Sequence, residues 1–303
     1  MAVQDSSVEI VDAARAFLSG ESDHDDFGGL QRDIRATTAI MDRRRMLRWA
    51  ARAGVSGGAF QLFGCGGSTP TSPTSTTDST TTTTTTTSGG TTSSACSLIP
   101  NETQGPYPGD GSNGPNVLGL SGVVRSDIRS SFAGLSGTAS GVPLTIALTI
   151  VSASTCAPLA GRAVYVWHCD ALGRYSLYSA GATNQNYLRG VQEADSSGRV
   201  QFTSVFPGCY AGRWPHVHFE VYPTLTAAGS VANRIATSQI ALPKDVSDQV
   251  YATSGYTGSA SNLSQISLAS DMVFSDGAAL ELATMSGSVS GGLVAMLSVA
   301  VNA

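Results

Sequence analysis

Two histidines separated by a single residue are the first sign of chemistry in this sequence. They lie in FPGCYAGRWPHVHFEVY, residues 206–222, as His216 and His218, and Tyr210 and Arg213 stand just before them. In an extended strand, residues i and i+2 face the same side. The two imidazoles can therefore point at one metal ion, although a His-x-His pair alone is equally compatible with the solvated face of a strand.

Two tyrosines supply the oxygen donors that such a site would need. Tyr175 ends WHCDALGRY, where the chain leaves a predicted strand, and Tyr210 follows a Pro-Gly turn signal. A bound cation stabilises a phenolate against its usual pKa of about 10. Two phenolates and two neutral imidazoles would leave Fe(III) with one net positive charge, which a hydroxide would neutralise, and would leave positions that exchange for substrate. The candidate metal ligands are Tyr175, Tyr210, His216 and His218.

Short apolar runs separated by turn residues begin near residue 96. The runs are 144–151, 162–170, 198–206, 216–222 and 238–242. β-Branched and aromatic residues dominate them, which is typical of strands, and their spacing predicts a mainly β domain with a β-sandwich fold. Only short helices are expected, around 243–252 and 288–300. The polar stretch 175–197 is predicted to be a long loop that joins two strands.

A nucleic-acid partner is excluded by composition. The chain has 303 residues, of which 13% are charged, and its formal net charge is −5, so it offers no basic surface. The expected partners are small molecules. The oligomeric state, including a homo-oligomer, stays open.

An export signal is predicted near the N-terminus. Three consecutive arginines at 43–45 precede a moderately apolar stretch rich in Ala and Gly, which ends in LFGC at Cys65. This order indicates a twin-arginine-type signal over residues 41–65, and LFGC resembles a bacterial lipobox whose cysteine becomes lipidated. The apolar stretch is too short and too rich in glycine for a transmembrane helix. An amphipathic helix with a stray cysteine is the alternative.

The segments on either side of the signal differ in composition. Residues 1–40 are polar and acidic and fit poorly in front of a signal, so we hypothesise that translation starts at Met41. Residues 66–95 are almost entirely Ser, Thr, Gly and Pro and are predicted to form a disordered linker. The sequence thus predicts that the domain at 96–303 is exported to the bacterial surface or beyond, with a lipid anchor as its only membrane contact.

Four cysteines lie beyond the linker: Cys96, Cys156, Cys169 and Cys209. In an exported domain they could form two disulfides, and sequence cannot choose among the three pairings. Alternatively, some of them are buried small apolar side chains. At least one disulfide is expected.

Several segments together resemble the intradiol ring-cleavage dioxygenases, the family of protocatechuate 3,4-dioxygenase and catechol 1,2-dioxygenase. These segments are NETQGPYP, VVRSDIR, WHCDALGRYSLYS, GRVQFTSVFPGCYAGRWPHVHFEVY and TSQIAL. They occur in the family's order and cover essentially residues 97–245, and the export signal is similar to those of the family's secreted branch. The resemblance implies a β-sandwich catalytic domain with a non-haem Fe(III) site and no organic cofactor.

The resemblance also implies a role for each candidate ligand. Tyr175 and His216 match the family's equatorial ligands, and Tyr210 and His218 match its axial ligands. A catechol that chelates the iron would displace Tyr210, which can then act as a base. Reaction with O2 would cleave the ring between the two hydroxyl-bearing carbons and give a cis,cis-muconate-type product that contains both oxygen atoms.

Three further residues are implied to surround the substrate. Arg213 matches the family's active-site arginine and would stabilise negative charge on the attacked carbon. Gln239 matches a pocket glutamine. The bridge AGRWP between Tyr210 and His216 is shorter than the loop found in the family, so we expect a more open mouth with Trp214 as one wall.

The residues that select among catechol, protocatechuate and hydroxyquinol are expected within 103–135 and 176–192. Arg125, Arg129 and Arg189 could either meet a substrate carboxylate or be structural. Three tyrosines could line the pocket or simply pack: Tyr107, Tyr178 and Tyr187.

Two other functions stay open. The same sandwich could be a binding module that holds an aromatic ligand or a carbohydrate, with a metal but little turnover. A structural zinc site built on His216 and His218 is the third interpretation, but it would not need two tyrosines. His168 is expected to be a strand histidine rather than a further ligand.

Overall fold

Eight β-strands carry most of the regular structure in residues 96–302, the part of the chain that the computed structural model describes. They are β1 (Pro143–Ser152), β2 (Ala163–Trp167), β3 (Arg189–Glu193), β4 (Arg199–Val205), β5 (His216–Tyr222), β6 (Ala236–Ala241), β7 (Thr284–Ser288) and β8 (Gly292–Val301). In the same region there are two short helices, α1 (Lys244–Tyr251) and α2 (Ser259–Ser264), and three 3-10 turns (Ala227–Gly229, Val231–Asn233 and Phe274–Asp276).

The strands form two four-stranded sheets. The first sheet has the order β4-β1-β8-β7, in which β1 and β8 are parallel and the other pairs are antiparallel. The second sheet has the order β3-β2-β5-β6 and is antiparallel throughout. Apolar side chains from both sheets pack in one core. The predicted mainly β fold, a β-sandwich with few short helices, is confirmed.

Alternation along β5 lets one strand serve both the core and a polar site. Val217, Phe219 and Val221 are fully buried and belong to the core shared with the first sheet. Each such side chain stabilises the fold by about 1.5–3 kcal/mol through its removal from water. Because successive residues of a strand face opposite sides, His216 and His218 lie on the outer face of the second sheet.

Loops cover that outer face. A second apolar cluster lies there, built from loop residues and outward-facing strand residues: Val117, Leu118, Val123, Phe132, Tyr165, Trp167 and Tyr222. An isolated β-bridge between Val124 and Val191 ties one of these loops, the segment around Val124, to β3. The polar side chains on this face are therefore surrounded by apolar groups rather than by bulk water.

Two elements differ from the sequence-based prediction. The predicted helix at 288–300 is wrong, because most of this segment forms β8, which pairs with β1 over nine positions. Its Gly, Ala, Leu and Met residues carry little strand preference, so pairing inside the sheet decides its conformation. The predicted loop at 175–197 contains β3, an edge strand, and the predicted strand at 162–170 ends at Trp167. The helix predicted at 243–252 is confirmed as α1.

One disulfide joins Cys96 to Cys156. Cys169 and Cys209 are free and buried, as small apolar residues are. The expectation of at least one disulfide is therefore confirmed, and the structure supplies the pairing that the sequence left open.

Several predictions concern residues outside the described range. The extension at 1–40, the signal at 41–65 with its lipidation site Cys65, and the linker at 66–95 all precede the described residues. From residue 96 to residue 302, no helix has the length and apolar character needed to cross a membrane.

Candidate metal centre

A row of four side chains crosses the outer face of the second sheet. The strand register places Arg189 of β3 beside Trp167 of β2, and Trp167 beside His218 of β5. The same register places His218 beside Gln239 of β6. Antiparallel pairing of four strands therefore brings together residues that are distant in the sequence.

Four side-chain atoms that can bind a metal converge beside this row. Oη of Tyr175 lies 3.2 Å from Nε2 of His216, and Oη of Tyr210 lies 3.3 Å from the same nitrogen. The two tyrosine hydroxyls are 3.4 Å apart, and Nε2 of His218 lies 3.2 Å from Nε2 of His216. Tyr210 is partly exposed, whereas the other three side chains are buried. The structure thus brings the four predicted donors together.

The spacing and chemistry of these atoms fit one metal ion. Ligands bound to a single ion by bonds of about 2.0–2.2 Å lie roughly 3–3.5 Å from one another. No group of three or more His, Cys, Asp or Glu side chains in residues 96–302 could hold a metal. Tyr175 and Tyr210 add two oxygen donors to the two imidazoles. A zinc ion held by two histidines alone would not account for the two hydroxyls beside them.

A backbone carbonyl fixes the proton on His216. Nδ1 of His216 lies 2.5 Å from the carbonyl oxygen of Trp214, which can only accept a hydrogen bond. Nδ1 therefore carries the hydrogen, and Nε2 presents its lone pair to the site. Burial, with a contribution from Arg213, lowers the pKa of His216 to about 3, and burial also lowers the pKa of His218. Both imidazoles are neutral at neutral pH, as metal ligands must be.

Burial affects the two tyrosines in the opposite sense. It raises the pKa of Tyr210 to about 12 and raises the pKa of Tyr175 well above its ordinary value. Without a cation both phenols keep their protons, since a buried phenolate would be poorly solvated. A bound cation reverses this preference, so ionisation of the two tyrosines is linked to metal binding.

Packing, rather than a hydrogen bond, orients the ring of His218. The ring stacks on Trp167, with centroids 4.9 Å apart and planes inclined by 4°. Gly105 packs against it: a Cβ atom at this position would lie 3.2 Å from Cε1 of His218, and the backbone φ is +70°. Nδ1 of His218 is buried and has no hydrogen-bond partner among the residues described. Trp167 and Gly105 therefore form a slot for this imidazole.

Helix α2 and a glycine shape the turn that carries Tyr210. The backbone N–H of Cys209 donates to Oγ of Ser259 at 3.0 Å, and Nδ2 of Asn262 donates to the Cys209 carbonyl at 2.8 Å. A Cβ atom on Gly208 would lie 2.5 Å from a backbone oxygen of the facing loop, so only glycine allows this approach. The Pro-Gly signal in the sequence marks this close contact.

Arg213 presents one nitrogen to the four donors. Its Nη1 lies 3.5 Å from Nε2 of His216. Its Nη2 donates to Oε1 of Gln239 at 2.6 Å, and its Nε donates to Oδ2 of Asp271 at 3.0 Å. Although burial disfavours the charge, Tyr210 and Asp271 raise the pKa of Arg213 above its ordinary value. The guanidinium is therefore a fixed cation beside the site.

The two other residues expected near the substrate lie in different environments. Gln239 is fully buried, and its Nε2 donates to the carbonyl of Thr103 at 2.8 Å, so Gln239 links a covering loop to Arg213. Trp214 is only 4% exposed within the main core, and its Nε1 donates to the carbonyl of Leu242 at 2.8 Å. The structure thus places Trp214 in the core rather than at an open mouth, because its ring is packed there and its N–H finds a backbone acceptor.

The three arginines considered for a substrate carboxylate already have partners. Arg129 forms a surface ion pair with Asp127 at 2.6 Å. Arg125 donates to three backbone carbonyls, those of Ile128, Ser130 and Arg189. Arg189 is fully buried, and within residues 96–302 it donates to neutral acceptors: the carbonyls of Tyr107, Pro108 and Ser176 and the hydroxyls of Tyr165 and Ser176. Arg125 and Arg189 therefore hold loops in place.

His168 lies directly after β2 rather than within a strand, so the expectation of a strand histidine is wrong, but its ring has structural partners. Its ring is buried, with Nδ1 2.7 Å from the carbonyl of Cys169 and Nε2 2.6 Å from Oγ of Ser204. Both ring nitrogens are thus engaged within the protein.

The three remaining tyrosines differ in their relation to the site. The ring of Tyr107 lies 5.0 Å from that of Tyr175 and 5.1 Å from that of Tyr178, measured between centroids. Tyr107 therefore packs directly against a candidate ligand. Tyr187 instead donates its hydroxyl to a carboxylate oxygen of Asp170 at 3.0 Å, a structural contact.

Sequence reasoning missed three residues that support the site. Trp167 opens the segment WHCDALGRY, and strand alternation could have placed it on the same face as the histidines. Gly105 lies in a Gln-Gly-Pro turn whose need for a positive φ is readable from its glycine. No sequence pattern indicated Asp271, because its contact with Arg213 depends on how the chain folds back after α2.

Comparison with known proteins identifies the class. Residues 124–244 match the family model described as Dioxygenase. An intradiol ring-cleavage dioxygenase from Tetranychus urticae is 25% identical, with a TM-score of 0.53, over 68% of this chain and 95% of that one. The crystal structure of a second dioxygenase is 26% identical, with the same TM-score and coverage. No curated protein matches the chain.

The family match and the β-sandwich that carries the Tyr/His site define a dioxygenase. More particularly, the described domain is similar to the intradiol ring-cleavage dioxygenases, the resemblance that its sequence motifs carry.

Proposed function

We propose that this chain is a non-haem Fe(III) enzyme that opens a catechol ring with O2 between the two hydroxyl-bearing carbons, giving a cis,cis-muconate-type product. One observation carries the proposal: Nε2 of His216 lies 3.2–3.3 Å from the hydroxyls of Tyr175 and Tyr210 and from Nε2 of His218, and the two hydroxyls lie 3.4 Å apart. The residues that would hold the iron are Tyr175, Tyr210, His216 and His218.

When bound, Fe(III) would stabilise both phenolates, chelate the two catechol oxygens and make the ring reactive towards O2. The chain itself supplies a base for the catechol protons. Tyr210 is the only partly exposed member of the four donors, so it is the one that can give way to substrate. Because burial raises the pKa of Tyr210 to about 12, its phenolate is a strong proton acceptor once it is free.

Arg213 supplies electrostatic stabilisation. Its guanidinium is buried, fixed by two partners, and faces the donors with Nη1. A fixed cation in a site with little water interacts strongly with negative charge that develops on the substrate ring, at no cost in reorganisation. Removal of such a group typically lowers kcat by about 10²–10³-fold.

The surroundings support catechols that lack a ring carboxylate. Protocatechuate would place a carboxylate in the site and would need an available cation. Arg125 and Arg189 are occupied by backbone and hydroxyl acceptors, and Arg129 is paired with Asp127. We therefore expect a higher kcat/KM for catechol than for protocatechuate.

We also propose that the enzyme works outside the cytoplasm. The support is the twin-arginine-type segment 41–65 with the lipobox-like LFGC at Cys65, followed by a Ser/Thr-rich linker that would tether the domain. The Cys96–Cys156 disulfide agrees with an oxidising compartment.

Colour and oxygen uptake test the iron assignment. Tyrosinate bound to Fe(III) absorbs visible light, so purified protein is expected to be red, and its band should shift when catechol is added without O2. Colourless protein with stoichiometric zinc contradicts the assignment. Coloured protein that consumes no O2 with any catechol indicates the binding module instead.

Matched variants test the roles of the residues. Tyr210→Phe should alter the visible band and slow turnover, whereas Arg213→Ala should keep the band and lower kcat. Tyr256→Phe is the control, because Tyr256 is a buried tyrosine whose hydroxyl bonds only to the backbone, at Val142 and Phe206. An unchanged band in Tyr210→Phe would exclude this tyrosine as a ligand.

Lipid labelling tests the anchor. Full-length chain expressed in a bacterium with a twin-arginine pathway should incorporate a labelled fatty acid and fractionate with membranes, and Cys65→Ser should abolish both. Label that persists in Cys65→Ser would refute the assignment of this cysteine.

A further inference from the structure

A buried carboxylate outside the family match contacts the arginine of the site. Asp271 follows α2, beyond the matched residues 124–244, and is fully buried. Its Oδ2 accepts hydrogen bonds from Nε of Arg213 at 3.0 Å and from the backbone N–H of Trp214 at 2.7 Å. Its Oδ1 accepts from two further N–H groups, those of Val273 and Phe274.

These contacts keep Asp271 ionised and immobile. Burial alone would favour its neutral form, but Arg213 and the backbone N–H groups lower its pKa. A carboxylate that accepts four hydrogen bonds has little freedom to reorient. Hydrogen bonds from protein groups therefore replace the water that the buried ion pair of Arg213 and Asp271 has lost, which a buried pair requires for stability.

The orientation of the guanidinium follows from its two anchors. Asp271 holds Nε, and Gln239 holds Nη2 at 2.6 Å. The guanidinium is planar, so fixing two of its nitrogens fixes the third. The third nitrogen, Nη1, is the one that lies 3.5 Å from Nε2 of His216. With Gln239 alone, the group could rotate about a single hydrogen bond.

We propose that Asp271 is a positioning residue for ring cleavage, which acts by holding Nη1 of Arg213 towards the substrate ring. The inference rests on the proposed function of Arg213 and extends the site to a segment outside the family match. Among residues 96–302, Asp271 has no hydrogen bond to the four donors. It reaches the site through the side chain of Arg213 and through the backbone N–H of Trp214, whose carbonyl binds Nδ1 of His216, so the route through Arg213 has to be separated by experiment.

A purely structural role makes a different prediction. Asp271 also binds the N–H groups of Trp214, Val273 and Phe274, so its loss could simply destabilise the loop. Destabilisation through these three backbone contacts would lower kcat by the same factor whether or not residue 213 is an arginine. A positioning role predicts that the effect of the Asp271 substitution on kcat depends on the presence of Arg213, whereas a structural role predicts that it does not.

A double-mutant cycle tests the proposal on the iron-loaded, full-length protein. Asp271→Asn keeps the shape and removes the charge, and we expect it to lower kcat about 10–100-fold, as misplacement of a fixed group does. KM for catechol and the visible tyrosinate band should stay nearly unchanged. In the Arg213→Ala background, Asp271→Asn should change kcat less than about 2-fold, as expected for groups that act as a unit. Asp127→Asn, in a surface ion pair, is the charge control.

Two kinetic results would overturn the proposal. If Asp271→Asn lowers kcat equally in both backgrounds, its role is structural. If Asp271→Asn keeps full kcat while Arg213→Ala loses it, positioning by Asp271 is unnecessary. If Asp271→Asn does not fold, Asp271→Glu provides the same test, because it keeps the charge but moves the carboxylate.

A crystallographic comparison does not depend on turnover. In wild-type protein Nη1 of Arg213 should face His216, and in Asp271→Asn the guanidinium should turn away or lose density. An unchanged guanidinium in the variant overturns the proposal. Absence of ring cleavage by the wild type would instead refute the proposed function, and the crystals would still decide whether Asp271 positions Arg213.

Discussion

The substitution Gly105→Ala tests whether the slot formed by Trp167 and Gly105 positions the imidazole of His218. Gly105 has a φ of +70°, and a Cβ atom added there would lie 3.2 Å from Cε1 of that imidazole. Normal carbon–carbon contacts lie at about 3.5–4.0 Å, so the ring has to move by a few tenths of an ångström. Because Trp167 stacks on the same ring, the movement is expected to shift Nε2 away from the other donors.

The substitution has two separable costs. Alanine in a left-handed conformation costs about 1–2 kcal/mol of the free energy of unfolding, which corresponds to a fall in Tm of about 2–8 °C for a domain of this size. Displacement of a metal ligand by its supporting residue typically lowers metal affinity about 10–100-fold. Gly161→Ala carries only the first cost, since Gly161 has a φ of +76° and nothing within 4 Å of the added Cβ.

The assay compares the two variants with wild type. Tm from thermal denaturation should fall similarly in both variants. Iron content after dialysis against a chelator and the intensity of the visible tyrosinate band should fall only in Gly105→Ala. Equal iron retention and equal spectra in the two variants would show that Gly105 does not position His218, and the reasoning about the slot would be refuted.

Three further predictions concern the scaffold. Replacing Cys96 and Cys156 by Ser opens a loop with a sequence separation of 60, which should lower the free energy of unfolding by about 4 kcal/mol on the chain-entropy relation; an unchanged urea midpoint would contradict this. Burial lowers the pKa of His168 to about 4 from 6.5, so its neutral form favours the fold above pH 6.5, and this stability should be lost as pH falls from 6.5 towards 4. His168→Gln should reduce the decrease in Tm as pH falls from 6.5 towards 4. An equally large decrease in the variant would show that other groups cause the loss of stability. Arg189→Lys should destabilise the protein by about 2–4 kcal/mol and speed proteolysis of the covering loop at 101–116, since a lysine cannot reach the five acceptors of Arg189; wild-type protease resistance would argue against this role.

The candidate metal ligands could be predicted from the sequence because the patterns that indicate them involve neighbouring residues. His216 and His218 obey strand alternation, and Tyr210 follows a turn signal in the same segment. Tyr175 ends the segment WHCDALGRY, which follows the apolar run that forms β2. These features depend on the periods and turns of the backbone, which neighbouring residues largely determine. The β-sandwich followed from the same short-range patterns.

Elements with weak local preference were decided by their partners. The segment that forms β8 has no clear strand pattern in the sequence. It forms a strand because β1 pairs with it over residues 293–301 and β7 pairs with it over residues 292–296. The edge strand β3 was predicted to be part of a polar loop, because its strand conformation depends on pairing with β2 rather than on its own sequence. Trp214 looked like a pocket wall because the sequence shows its proximity to the histidines but not the direction of its ring.

The sequence by itself determined which residues are candidates for the site: two tyrosines, two histidines and an arginine in an order that resembles the intradiol dioxygenases. Only the tertiary structure decided how these residues are held. Asp271 fixes Arg213 from a distant segment, Trp167 and Gly105 confine His218, and Arg189 secures the covering loop. Such supports depend on distances across the folded chain, and no periodicity along the sequence encodes them.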